Sequence, residues 1–193
     1  MAKAFVFLAD GFEDVEALIP IEVVRRGGVE VTTVSVVEES SIVTSAHGVQ
    51  VVADCIYGDD ISDDDLQGAD LVLLPGGMPG AKNLYDHDGV GQAVLQQHKA
   101  GRWLAAICAA PAVVLGQLGV LQGKRATCYP GFEQLLKGAE YTGELCTADG
   151  NVITGEGPAA AFPFAYTLLA MLTDEQTSRQ VAVGMRFAHL MGE

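Results

Sequence analysis

Basic residues are scarce in this chain: 11 lysines and arginines stand against 25 aspartates and glutamates in 193 residues, a formal net charge of −14. That balance argues against specific nucleic-acid binding and against an anionic membrane surface, since both would repel it. No apolar run approaches the roughly 20 residues of a membrane-crossing helix. The opening MAKAFVFLADGFED turns acidic after one short strand, unlike a secretory leader. A cytoplasmic protein is expected. Four cysteines, Cys55, Cys108, Cys128 and Cys146, form no C-x-x-C pair, and no histidine stands at zinc-ligand spacing, so free thiols and no metal are expected. There is also no G-x-x-x-x-G-K-[ST] and no G-x-S-x-G, which leaves a P-loop NTPase or a serine hydrolase with the usual elbow unsupported. Internal repeats, low-complexity stretches and long linkers are missing too, so a single domain over 1–193 is expected.

What is present, 49% hydrophobic and 19% charged residues, suits one well-filled core. Residues 3–9 read as a strand and 14–26 as a helix that leaves through Gly27-Gly28. A second strand follows over 29–37, and 42–44 with 49–53 read as a hairpin appended to the edge of the main sheet, with His47 as a turn residue. The charge run Asp59 to Asp65 reads as a solvated loop and helix start. Further strands are predicted at 69–74, 103–107 and 125–128, with helices at 88–100 and 109–117. Two last strands, 143–148 and 151–154, flank the turn signal Asp149-Gly150. Helices at 159–172 and from about 175 close the chain. This alternation predicts an α/β fold with a doubly wound, mainly parallel sheet and helices on both faces. In such folds ligands bind beyond the carboxyl ends of the strands, where strand order reverses.

The stretch WLAAICAAPAVVL, residues 103–115, carries the sharpest signal. A buried apolar strand runs straight into Cys108 and then into a helix with Pro111 in its first turn, where the missing N–H costs nothing. A thiol at that turn is thrust up at the sheet's carboxyl edge, near helix-start amides that favour a thiolate. A buried structural thiol is the bland alternative. The loops after Ala9, at Gly76-Gly77, at Tyr129-Pro130 and at Gly157-Pro158 leave the same edge and are expected to form one pocket. Gly155-x-Gly157-x-x-Ala160 matches a loose dinucleotide fingerprint, but it follows the last strand and has no βα unit after it. Ala109 stands where a cysteine protease of this layout would place a histidine, so a protease is not expected.

Ala9-Asp10-Gly11-Phe12-Glu13-Asp14-Val15-Glu16, Leu74-Pro75-Gly76-Gly77, Ala105-Ala106-Ile107-Cys108-Ala109-Ala110-Pro111 and Gly155-x-Gly157-Pro158, in that order, resemble the ThiJ/PfpI superfamily over nearly the whole chain. C-A-A-P rather than C-H-G is similar to the branch of the parkinsonism-associated protein deglycase and its YajL-like bacterial relatives. The resemblance implies a flavodoxin-like fold, a homodimer, an oxidation-sensitive Cys108 paired with the carboxyl of Glu16, and glyoxalase or deglycase activity without a cofactor. It further implies that Gly77 and Ala109 supply amides to an oxyanion and that Arg26 approaches the partner's site. One departure is Thr127-Cys128-Tyr129-Pro130, where animal members carry a histidine before the proline.

The chemistry follows from a thiolate and a carboxyl. The thiolate adds to the aldehyde of an α-oxoaldehyde such as methylglyoxal, or attacks its adduct on an amine or thiol, and the carboxyl moves a proton between the two carbons. Water then releases a 2-hydroxy acid. Glu16, one turn into its helix where a lone carboxyl is ordinarily solvated, is the shuttle the resemblance implies, while Glu13 and Asp14 are expected to point more to solvent. Gly76, Tyr129, Gly157, Pro158 and Arg26 are the remaining pocket candidates. A redox-sensing thiol protein and a chaperone-like holdase without turnover are the alternatives.

Overall fold

Short segments of two to six residues assemble into a central sheet in the computed structural model, which describes residues 1–190. In chain order the first half contains β1 (Lys3–Leu8), α1 (Asp14–Arg26), β2 (Glu30–Ser35), β3 (Ile42–Thr44), β4 (Gln50–Val52), β5 (Cys55–Ile56), α2 (Asp63–Leu66), β6 (Leu71–Leu74), α3 (Gly80–Asp86) and α4 (Asp88–Lys99). The second half contains β7 (Trp103–Ile107), a π-helical turn (Pro111–Leu115), β8 (Arg125–Ala126), β9 (Glu140–Tyr141), β10 (Cys146–Asp149), β11 (Val152–Gly155), α5 (Ala161–Leu172), α6 (Glu175–Gly184) and α7 (Phe187–Leu190).

The main sheet has seven strands in the order β10-β11-β7-β6-β1-β2-β5. All neighbours are parallel except β10 and β11. β6 is buried at every position and β1 at every position after Lys3, as a parallel strand covered on both faces should be. One layer comprises α1, α5 and α6; the other comprises α3, α4 and the π-helical turn. Gly27 permits the first layer to close, because a Cβ there would stand 2.1 Å from Leu169 Cδ1. From β1 the chain winds one way to β2 and the other way to β6, β7 and β11. The switch point therefore lies between β1 and β6, and the carboxyl ends of both strands open onto it. Among the described residues, no helix is long and apolar enough to cross a membrane.

The doubly wound sheet matches the sequence reading, but its margins differ. The expected edge hairpin, β3 and β4, forms a separate two-stranded sheet, and β5 takes the edge beside β2. The hairpin is drawn over the strand ends instead: Gly11 N–H donates to Thr44 O at 2.8 Å and Ala46 N–H to Phe12 O at 2.8 Å, while Thr44 N–H donates to Asp10 Oδ1 at 2.7 Å. The predicted strand 125–128 shrinks to β8, which pairs with β9 in another small sheet. The helix predicted over 109–117 opens as a π-helical turn with Gly116 N–H on Pro111 O at 2.8 Å. The Leu135 carbonyl lies only 2.3 Å from where a Gly116 Cβ would stand, so this segment is wedged tightly against the 133–135 turn. The single-domain reading of 1–193 extends, over 191–193, outside the described residues.

Candidate active site

β7 ends at Ile107, and Cys108 follows with φ +65°, a left-handed conformation that side-chain-bearing residues rarely adopt and that clusters at functional turns. The turn is fixed from both sides. Cys108 N–H donates to Gly155 O at 2.9 Å, and Tyr129 N–H donates to Cys108 O at 2.8 Å. Cys108 itself is 8% exposed.

Glu16 arrives from the first turn of α1. Glu13 caps that helix by accepting the Glu16 N–H on Oε2 at 2.9 Å, which sets the turn so that Glu16 points inward. Its side chain is fully buried. Oε2 accepts the Gly76 N–H at 3.1 Å, and Oε1 has no hydrogen-bond partner among the described residues. A buried carboxyl with one free oxygen calls for an explanation; here the thiol of Cys108 is the group it faces. Burial, the largest influence, pushes the Glu16 carboxyl up to about 7; the thiol contact and the Gly76 amide pull it down, and the charge of Glu13 adds to the rise. Burial and then the Glu16 charge push the Cys108 thiol up to about 12, against the pull of the Gly77 and Ala109 amides. The helix-start amides thus act in the expected direction but are outweighed while Glu16 is ionised. A proton on Glu16 removes the opposing charge and leaves an O–H to donate to the sulfur. Near neutrality the thiol keeps its proton while Glu16 stands close to its midpoint, so the carboxyl can both take and give a proton there.

Gly76 and Gly77 stand where the sequence reading puts backbone close to something. A Cβ on Gly76 would lie 2.6 Å from Cys108 Cβ, 2.6 Å from Glu16 Oε2 and 2.7 Å from Ile107 O. Gly77, at φ +87°, presses against the Glu13 amide. Both amides of the expected oxyanion cradle, Gly77 and Ala109, act on the sulfur. Tyr129, Gly157 and Pro158 line a cleft of about 230 Å³ with Glu156, and the two loops that form its walls are the ones bonded to the Cys108 backbone. Larger grooves of about 570 and 620 Å³ lie on α6 and α1; neither is walled by a loop bonded to the Cys108 backbone.

Arg26 is not in this group. Ten residues along α1 from Glu16, about 15 Å at 1.5 Å per residue, it pairs with Glu22 at 2.7 Å on the surface. Within one chain it does not reach Cys108. Asp14 is not turned to solvent: it accepts from Ser45 Oγ at 2.7 Å and lies 2.5 Å from His47 Nδ1. Burial alone would raise Asp14, but these partners hold it below its usual range and raise His47 in turn. His47 is therefore more than a turn residue, and no sequence spacing signals a pair 33 positions apart. Glu13, Asp14 and His47 offer ligand atoms within 4.8 Å of one another; Asp14 and His47 are already matched to each other, and we assign no metal there.

Limiting iodoacetamide at neutral pH is expected to alkylate Cys108 first. Burial holds Cys128 up to about 12 and Cys55 up to about 11, as it holds Cys108, but their sulfurs lie against the Tyr129 and Thr33 carbonyls, whereas two amides act on the Cys108 sulfur and favour its thiolate. Peptide mass mapping reads the order; prior labelling of Cys55, Cys128 or Cys146 would remove the basis for the site.

Comparison with known proteins agrees with this geometry. Residues 2–171 match the model of the DJ-1/PfpI family. The protein DJ-1 homolog B of Arabidopsis thaliana is 39% identical over 181 residues, 93% of this chain. The chain spans only 40% and 44% of the length of the two Arabidopsis relatives it matches. Protein dj-1beta of Drosophila melanogaster is 35% identical over 97% of this chain and 98% of its own. Its crystal structure superposes with a TM-score of 0.86 at 33% identity, covering 95% and 97% of the two chains. A fission yeast relative, 28% identical over 91% of this chain and 93% of its own, is named glutathione-independent glyoxalase DJ-1.

Proposed function

The chain belongs to the DJ-1/PfpI family, and from that premise we propose that it is a cysteine-dependent, cofactor-free glyoxalase and protein deglycase. Its substrates would be methylglyoxal-type α-oxoaldehydes or their adducts, and its role protection against carbonyl and oxidative stress. One observation carries this reading: the fully buried Glu16 faces Cys108 with one carboxyl oxygen unpartnered.

On attack, the Cys108 sulfur bonds to the aldehyde carbon while the thiol proton passes to Glu16 and on to the new alkoxide, giving a hemithioacetal. Glu16, again a carboxylate, removes the proton from that carbon and returns one to the neighbouring carbon. The result is the thioester of a 2-hydroxy acid, which water hydrolyses to lactate and free thiol. The Gly77 and Ala109 amides, which act on the sulfur, would hold the oxygen anion that develops beside it. Lactate formation from methylglyoxal by the purified protein, against buffer-only and amine-only blanks, tests the reading; turnover no faster than the blanks overturns it.

A redox-sensing role is favoured by the same two amides and by Glu16. They surround the sulfur with hydrogen-bonding groups that would hold the oxygens of a sulfenic or sulfinic acid.

A homodimer through α1 is part of the proposal. Val15 and Leu18 are 38% and 40% exposed on that helix, and Arg26 lies too far from its own Cys108 to serve it. Light scattering at micromolar concentration is expected to give twice the chain mass of 20.2 kDa. A monomer would withdraw Arg26 from the site.

A further inference from the structure

Glu156 lies between Gly155 and Gly157 on the wall of the cleft beside Cys108. Its backbone is committed, with N–H on Leu145 O at 3.0 Å. Its half-buried carboxylate has no ion-pair partner among the described residues. The basic side chains of that region are engaged elsewhere: Arg125 pairs with Glu144 at 3.1 Å, and Lys124 Nζ reaches the Asp149 carbonyl. Two tyrosines stand half-open around the same region, Tyr129 at 46% and Tyr141 at 39% exposure. Glu133 and Glu156 both act on the Tyr141 hydroxyl, after the larger influences of burial and Cys128. A carboxylate without an ion-pair partner, with tyrosines close by, is the kind of surroundings a cation prefers. A volume of about 230 Å³ is small for a whole cofactor or drug-sized ligand but fits the end of a side chain.

The cleft's position supplies the chemistry. Its walls are hydrogen-bonded to the backbone of Cys108 on both sides, Gly155 O on the amide and the Tyr129 amide on the carbonyl. The lining itself, Tyr129, Pro130 and residues 156–160, does not include the thiol; it starts at Tyr129 and one residue beyond Gly155, the two residues bonded to Cys108, which makes it the concavity next to the reacting carbon. We infer that the cleft receives the departing side of a glycated adduct, and that Glu156 selects departing groups that are cationic, the lysine or arginine side chains of basic peptides, over anionic thiols.

This rests on the deglycase half of the reading above. In that step the Cys108 sulfur–carbon bond forms and the carbon–nitrogen bond of the adduct breaks. The thiol proton leaves on the nitrogen, and the freed lysine amine takes a second proton from water to become an ammonium ion. The enzyme-bound hemithioacetal that remains is the one formed from free methylglyoxal. Glu156 touches the departing group and not the reacting carbon, so it determines specificity.

Two measurements test the assignment on the full chain at low ionic strength. The first compares disulfide formation at Cys108 by cationic trimethylammonioethyl and anionic sulfonatoethyl methanethiosulfonate, followed by peptide mass mapping. The cationic-to-anionic rate ratio is expected to fall about five- to tenfold in Glu156→Gln and further in Glu156→Lys, as the loss of a nearby partly screened charge requires. The second compares kcat/KM for methylglyoxal hemithioacetals of thiocholine and of mercaptoacetate, each normalised to that of 2-mercaptoethanol; this ratio is expected to fall with the first. Ratios unchanged within twofold in both variants overturn the subsite, as does a reagent ratio that moves while the turnover ratio does not. A wild type that turns over no methylglyoxal overturns the enzymatic reading and the subsite's role with it, whereas normal turnover with fixed ratios overturns the subsite alone.

Discussion

Cys108→Ala is expected to bring lactate formation down to the blanks, a loss of roughly 10³-fold or more, because no other group can form the covalent intermediate. Cys128 is fully buried, with its sulfur 3.5 Å from the Tyr129 carbonyl. Cys55 sits on the opposite sheet edge from β10, with its sulfur 3.6 Å from the Thr33 carbonyl. Neither can stand in. The fold should survive the change. Alanine keeps the Cβ and meets the same φ of +65° at the same backbone cost, and the bonds to Gly155 and Tyr129 use only main-chain atoms. A thermal melt close to wild type, with lactate absent, is the expected pair of results. Lactate persisting within tenfold of wild type would mean that the thiol is not the nucleophile, and the site would lose its centre.

How much of this was legible beforehand depended on how local each feature is. Cys108 at a strand end could be read because a buried apolar run, a thiol and a proline in the next turn are consecutive in the chain. The core strands β1, β2, β6, β7 and β11 could be read because period and turn residues report on each segment separately. The margins could not. β5 is two residues long, too short for alternation to show. The hairpin's docking depends on Asp10 and Phe12, more than 30 positions away in sequence from Thr44 and Ala46. Glu16 as the partner of Cys108 rested on family resemblance, since a carboxyl one turn into a helix is ordinarily solvated. Its full burial follows from Gly76, whose missing side chain lets the β6 loop close over carboxyl and thiol together. Glu156 carries no signal in the sequence beyond the glycines on either side of it, which suggest a nucleotide fingerprint; among the described residues no strand follows β11 to complete the βα unit such a fingerprint needs.

Glu16→Gln should separate enzyme from sensor, since a proton shuttle must give and take a proton while an oxidised thiol needs only a hydrogen-bond partner. Glutamine keeps the shape and one acceptor, so it removes acid–base function alone, and lactate formation should fall by roughly 10²-fold or more. Cys108 should still react with iodoacetamide, and faster near pH 7. The Glu16 charge is the second-largest influence holding the thiol up to about 12, and the variant lacks it. Stability should move with pH in a defined direction as well. Glu16 rises from 4.5 to about 7 on folding, mainly through burial, so between those values the folded chain binds more protons than the unfolded one. Wild type therefore loses stability as pH climbs from about 4.5 to 7, by something of the order of 3 kcal/mol. Glu16→Gln has no proton to lose there. Relative to wild type, its melting temperature should rise from pH 5 to pH 8 and level off above. Lactate formation within a few-fold of wild type would show that another group or solvent moves the proton. A melting difference that does not change with pH would show that Glu16 is already ionised at pH 5.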